Sequence, residues 1–275
     1  MLLYTVVTIL ALSNACQGNH LRNFVRSVVK RQLVALNGDI SDIKGALASI
    51  QNELAKGKGA ACSTVQSGWG PPFDVFGKGA QYYLAFRGTA GAGPSVYDTY
   101  IGKGRERSIE ACCRQVNGSL PCSGHYRNAG ILDNWQNIEE VVVALYDRGV
   151  LKQSLTFDAA GTDYLSWFSA ANLKDPGIWR DLQRKHTNFF SITGDQRYER
   201  PFFINNKYGG CPGDSGWLVA ADHQRHPCPW EKHSSYPQFL YSKDNGPTHW
   251  NKNEKIDRAD VLAIFVKPYN GCNSQ

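Results

Sequence analysis

Cys211-Pro212-Gly213-Asp214-Ser215-Gly216 is the segment of the chain best suited to chemistry. A serine hydroxyl on a glycine turn can attack a carbonyl when a histidine takes its proton and an acid orients that histidine. The upstream histidines are His20, His125 and His186, in Asn-His-Leu, Gly-His-Tyr and Lys-His-Thr. Without such a base Ser215 is a poor nucleophile. The segment therefore reads as a glycine turn entering a strand. His223, His226 and Cys228 offer donor types that zinc prefers. Arg225 opposes a cation there, and Cys228 is better used in a disulfide, so the set reads as a polar loop. Residues 158–163 and Asp244-Asn245-Gly246 are oxygen-rich, but neither alternates ligands as an EF-hand does. Both read as Asx turns. No metal or other cofactor is expected.

Seven tryptophans are many for a chain of 275 residues. Some must form core, but an exposed indole beside Asn or Asp suits stacking on the apolar face of a sugar ring. Two patches have that composition: Asn134 with Trp135, and Trp250 with Asp244 and Asn245. These five are the candidate ligand-binding residues.

The elements that must position these groups are mainly strands. Residues 81–87, 141–146, 150–157, 202–205, 217–220, 238–242 and 259–267 are apolar or alternating runs bounded by turn residues. Asp147-Arg148-Gly149 joins two of them as a hairpin. Short helices are expected over 167–173 and 178–185. No repeat and no alternation of strand with helix appears. The fold class is mainly β, a β-rich α+β head over 62–275 built as a disulfide-stapled antiparallel sheet or sandwich.

Ahead of the head, residues 20–56 read as helix. Leu33, Ile40, Leu47 and Leu54 fall at heptad position a, and Leu36, Ile43 and Ile50 at d, with Val29 extending the seam. Gly38 and Gly45 fall at f, away from a partner; each costs about 1 kcal/mol of helix stability. Ile at d with Leu at a favours three or four strands, so a homotrimer or homotetramer through 29–54 is expected. The other reading is an amphipathic helix packed on its own head. Residues 57–61 form a small-residue linker.

The compartment is indicated by the N-terminus and the cysteines. Leu2 to Leu12 is an apolar run of eleven residues followed by Ser13-Asn14-Ala15. Spanning a bilayer takes about 20 apolar residues, so 1–15 reads as a cleaved signal peptide, although it carries no Lys or Arg. Export and no membrane anchorage are expected. Cys16, Cys62, Cys112, Cys113, Cys122, Cys211, Cys228 and Cys272 are then disulfide candidates. Eight cysteines allow about 105 pairings, so connectivity stays open. Cys16 or Cys62 could lock a parallel bundle. Adjacent Cys112 and Cys113 are expected to pair elsewhere rather than with each other. Asn117-Gly118-Ser119 is a glycosylation acceptor.

The chain carries 30 Lys+Arg against 24 Asp+Glu, a net +6, without a long basic stripe. Nucleic-acid binding is not expected; glycans or acidic matrix polymers remain as partners.

Three resemblances add to this reading. Residues 211–216 resemble the nucleophile segment of chymotrypsin-like serine proteases over six residues. Trp217-Leu218 stands where that family continues Gly-Pro, and its Ala-Ala-His-Cys is missing. The order of signal, coiled coil and β-rich head resembles fibrinogen-related lectins in architecture. Phe202-Phe203-Ile204-Asn205, Tyr208-Gly209-Gly210-Cys211-Pro212, Gly216-Trp217-Leu218-Val219, Cys228-Pro229-Trp230-Glu231 and residues 259–266 resemble a secreted domain of molluscs and cnidarians found in shell or skeletal matrix proteins. The expectation is a secreted, non-enzymatic, oligomeric structural or matrix protein. The alternatives are a soluble lectin of innate immunity and, least supported, a serine hydrolase centred on Ser215.

Overall fold

The computed structural model describes residues 68–103, 111–117, 122, 124–223 and 228–269, together with Ser27, Val29, Lys30 and Lys44, which are helical. The chain divides into two units, Met1–Cys62 and Ser63–Gln275. The expected signal peptide over 1–15, the expected linker and most of the expected stalk lie outside the described residues, as do Cys16, Cys62, Cys272 and His226. Among the described residues no helix is long and apolar enough to cross a membrane.

The second unit is mainly β, with two antiparallel sheets. The first contains β1 (Tyr83–Thr89), β2 (Tyr126–Arg127), β3 (Ile138–Asp147), β4 (Val150–Asp158), β5 (Leu173–Asp175) and β12 (Val261–Pro268), in the order β2-β1-β12-β3-β4-β5. The second contains β6 (Phe189–Ser191), β7 (Phe203–Lys207), β8 (Ser215–Ala221), β9 (Gln238–Ser242) and β11 (Ile256–Ala259), in the order β11-β9-β8-β7-β6. The short β10 (Thr248–His249) pairs with β8. Two short helices, α1 (Val96–Tyr100) and α2 (Ala129–Leu132), lie in the connections around β1 and β2.

The unbroken apolar runs result from burial on both faces. In β3, Val141, Val143 and Leu145 face the core shared by the two sheets, while Val142, Ala144 and Tyr146 face outward into a second cluster. In β12, Leu262, Ile264 and Val266 face in, and Val261, Ala263 and Phe265 face out. A strand covered on both sides has no polar alternation to show. The central core also draws Ile204, Trp217, Leu218, Ala220, Phe239 and Tyr241 from the second sheet, which makes the architecture a sandwich. A third cluster on the outer face of the second sheet holds Phe203, Val219, Leu240, Trp230 and Trp250. The β3–β4 hairpin turns through Arg148 and Gly149, at φ 51° and 77°. Positive φ at both central residues matches a primed turn, whose twist suits the flanking strands.

Two expected helices are corrected. Residues 167–173 form only a 3₁₀ turn at Ala170–Asn172 before β5, and 178–185 form turns. Asn172 spends its amide on the carbonyls of Ser166 and Trp167, and Pro176-Gly177 interrupts the chain ahead of 178–185. Trp167, Phe168, Trp179 and Leu182 are core plugs rather than a helical stripe. The Trp179 indole N–H is satisfied by the Ser242 carbonyl.

Each outer face is closed by one disulfide. Cys113–Cys122 belongs to the cover over the first sheet, and Cys211–Cys228 to the cover over the second.

Candidate functional site

A cleft of about 450 Å³ opens beside the Cys211–Cys228 disulfide, lined also by Arg197, Tyr198, Arg200, Tyr208, Gly210 and Asp214. Its centre is Arg200, which is only 2% exposed. An irregular turn places it: Asp195 and Arg200 form an antiparallel bridge, with Glu199 at φ 52° and Phe202 at φ 46° on either side. Left-handed residues other than glycine are uncommon and carry a conformational cost. The surroundings that hold them include the Phe202 ring, packed on Phe86 and Tyr100 in the core.

The guanidinium binds one carboxylate with two bonds. Nε donates to Glu231 Oε1 at 2.7 Å and Nη2 to Oε2 at 2.9 Å. Glu231 Oε2 also accepts the Cys228 N–H at 2.8 Å, tying the ion pair to the disulfide. Trp230, Tyr198 and Tyr208 surround the cation at 4.7, 5.0 and 5.6 Å from ring centre to guanidinium carbon. Burial alone would lower the Arg200 pKa, but the Glu231 bonds and charge override it and raise it. Nη1 stands 3.9 Å from Asp214 Oδ2.

Asp214 is itself 4% exposed, and its Oδ1 accepts the Gly209 N–H at 2.9 Å. The Tyr208 ring is 38% exposed, and its hydroxyl donates to Asp195 Oδ2 at 2.7 Å. Burial and that bond push the Tyr208 phenol upward, so it stays protonated at neutral pH.

The glycines of the Gly-Asp-Ser-Gly segment are explained by packing. A Cβ on Gly213 would meet the Gly209 carbonyl oxygen at 2.6 Å, and one on Gly216 would meet the Ile204 carbonyl at 2.6 Å and the Trp250 ring at 2.7 Å. Ser215 is 4% exposed, and its hydroxyl donates to Asn206 Oδ1 at 3.4 Å. The structure adds one residue that the sequence reading missed. His249 is the cross-strand partner of Ser215 between β10 and β8, which puts the two side chains on one face. Its Nδ1 is buried without a hydrogen-bond partner among the described residues. Among the described residues, then, no carboxylate holds that Nδ1 as the base of a serine nucleophile requires.

The other sequence-derived sites disperse. Trp135 is half-buried, stacked on Trp167 at 6.3 Å between ring centres, and its indole N–H reaches Thr162 Oγ1 at 3.4 Å. Asn134 is exposed and bonds back to the Gly130 carbonyl. Trp250 is corrected: at 1% exposure it is core, donating to Asn205 Oδ1, and presents no face for stacking. Asp244 pairs with Lys255 at 2.6 Å, and Asn245 is exposed on the same turn. None of the five lines the Arg200 cleft. Asp158 and Asp163 bond to backbone N–H groups two or three residues on, as Asx turns do. Cys228 is committed to its disulfide and cannot join His223 on zinc.

The sulfurs of Cys112, Cys113 and Cys122 lie within 4.8 Å of one another. The bridge consumes two of them, so they are not a thiolate set. Asn117 is half-buried against the β3–β4 turn, where a Cβ on Gly149 would meet its Cβ at 3.4 Å.

Arg200, Tyr198, Tyr208 and Glu231 were not singled out from sequence. Tyr198 and Arg200 share one loop, but Tyr208 and Glu231 come from other stretches with no shared spacing, and folding brings the four together beside the Cys211–Cys228 bond. No family model, no curated protein and no solved structure matches the chain.

Proposed function

We propose that the protein is a secreted, non-enzymatic, oligomeric extracellular protein, a structural or matrix component whose heads work by contact. The observation that carries this reading is the state of the polar groups around residues 211–216. Arg200 and Glu231 neutralise each other, the glycines pack backbone on backbone, and among the described residues the imidazole paired across from Ser215 has no partner on Nδ1 to orient it. A catalytic centre keeps such groups poised for substrate; here they brace a fold. The heptad seam at 29–54 supplies a trimer or tetramer, and several heads on one stalk multiply weak contacts without any new one.

The test is made on the full chain secreted through an oxidising pathway. Sedimentation is expected to give three or four copies, and a fluorophosphonate probe is expected to leave Ser215 unlabelled. Labelling abolished by Ser215→Ala overturns the non-enzymatic reading, and a lone protomer overturns the clustering. Retention in a bleach-resistant matrix, rather than in body fluid, separates the matrix role from a circulating one.

A second reading, a carbohydrate-binding protein of innate immunity with the same architecture, is favoured by one observation. The Arg200 cleft combines an exposed tyrosine face with a buried donor and a buried acceptor, the composition of a sugar subsite.

A further inference from the structure

We propose that the Arg200 cleft is a subsite for a neutral pyranose, in which one sugar hydroxyl bridges Arg200 and Asp214 while the apolar face of the ring rests on Tyr208. This rests on the carbohydrate reading above and gives it a place and a sugar class.

The argument starts from a gap. Arg200 and Asp214 both line the cleft, and Nη1 of the one stands 3.9 Å from Oδ2 of the other, too far for a direct hydrogen bond. Neither can swing to close it. Arg200 is clamped by its two bonds to Glu231, and Asp214 by the Gly209 N–H. An oxygen about 2.8 Å from each atom spans the gap at ordinary hydrogen-bond length. A hydroxyl is the group that can accept from the guanidinium and donate to the carboxylate at once.

The same pair discriminates by charge. A carboxylate or sulfate placed there would face Asp214, the carboxylate left over once Glu231 has offset the Arg200 charge. A neutral hydroxyl meets no such repulsion, and a site built from a fixed donor and a fixed acceptor rejects ligands that leave either unpaired. At the rim, Arg197 adds a positive charge. Asp195 adds a negative one, with Oδ1 on the Arg197 N–H and Oδ2 on the Tyr208 hydroxyl.

The walls suit the rest of a sugar. Tyr208 is 38% exposed, and its ring is held by Phe189, Phe203 and the bond to Asp195, so stacking on it orders little that is not ordered already. Tyr198 and the Cys211–Cys228 disulfide complete an amphipathic lining. The volume of about 450 Å³ falls within the range of small-molecule clefts.

The test uses the full chain and titrates methyl mannoside, methyl galactoside and methyl N-acetylglucosaminide as neutral probes. Glucuronate and galactose 6-sulfate are the anionic comparators. Saturation-transfer NMR and tryptophan fluorescence report binding, since Trp230 lies against Arg200.

At least one neutral glycoside is expected to bind saturably, and the anionic comparators at least about tenfold more weakly. Tyr208→Phe keeps the ring and is expected to retain affinity within about threefold, whereas Tyr208→Ala loses at least about tenfold. Asp214→Asn keeps an acceptor for Gly209 but removes the negative charge, and is expected to shift preference toward glucuronate. Binding unchanged in Tyr208→Ala, no shift in Asp214→Asn, or a wild-type preference for the anionic sugars overturns this site while leaving the carbohydrate reading standing. If no sugar of any class binds, both fall.

Discussion

The two outer faces of the sandwich are closed in parallel ways, each by a disulfide lying on a buried arginine. They differ in what neutralises the cation. Over the first sheet, Arg87 donates Nη1 to the Cys113 carbonyl at 3.1 Å and Nη2 to the Cys122 carbonyl at 3.4 Å, and its Nε has no partner among the described residues. Burial lowers the Arg87 pKa, and the charge of Asp260 works against that. Over the second sheet, Arg200 meets a carboxylate with two bonds and an aromatic surround, and its pKa is raised despite burial. Arg87 joins the two halves of its bridge by their backbone, which makes a staple. Arg200 takes its compensation from one side and keeps an edge toward a cleft. A buried cation held by neutral carbonyls locks a cover; one held by an anion can also present a surface.

The largest expected effect breaks that compensation. Glu231→Ala strands a buried guanidinium and should cost about 3–5 kcal/mol in denaturant unfolding. Arg87→Met removes the cation itself and leaves only carbonyls to satisfy, so about 1–3 kcal/mol is expected. Equal costs would erase the distinction between the two covers.

Removing a disulfide comes next. The bridged residues are separated by 17 positions in Cys211–Cys228 and by 9 in Cys113–Cys122. Chain entropy then predicts losses of about 3 kcal/mol for the paired Cys→Ser variant of the first and slightly less for the second. A much larger loss at Cys211–Cys228 would show that its bond to the Arg200–Glu231 pair matters beyond loop closure.

A smaller, pH-dependent effect belongs to the first cover alone. His125 Nδ1 accepts the Thr89 N–H at 3.0 Å, so Nε2 carries the proton and donates to the Pro94 carbonyl at 2.9 Å. Burial first, with the Arg87 charge, holds its pKa below the ordinary 6.5. The unfolded chain therefore binds a proton that the folded one refuses. The neutral form's stability is full above pH 6.5. It is lost as pH falls toward the depressed value, by at most about 1.4 kcal/mol per pH unit. Unfolding measured from pH 7.5 to 5 should lose this slope in His125→Gln.

The smallest effect is Tyr208→Ala. The residue is 38% exposed, but its ring packs on Phe189, Phe203 and the Arg200 guanidinium, so a loss of about 1 kcal/mol is expected. A larger loss would make Tyr208 part of the cover rather than of the cleft.

Much of the framework was legible because strands advertise themselves locally. The runs at 141–146 and 259–267 are largely apolar, and Arg148-Gly149 marks the turn. The short aromatic segments misled: Trp167 and Trp179 looked like members of helices, yet each plugs the core from a turn. The candidate site was half legible. Residues 211–216 drew notice as chemistry, but their glycines serve backbone contacts and their aspartate serves a cleft built around an arginine from another loop. His249 escaped because histidines were sought upstream of Ser215, whereas antiparallel pairing sets this one across from it from downstream.

Composition and local pattern alone determined the β-rich class, the hairpin and the readiness of the cysteines to bridge. These depend on neighbours a few residues apart. Which cysteines met, which tryptophans were buried and which arginine faced a cleft were decided only by the packing of two sheets and their covers. Burial and charge compensation are properties of position in space, and residues as far apart as Arg200 and Glu231 share none of that information along the chain.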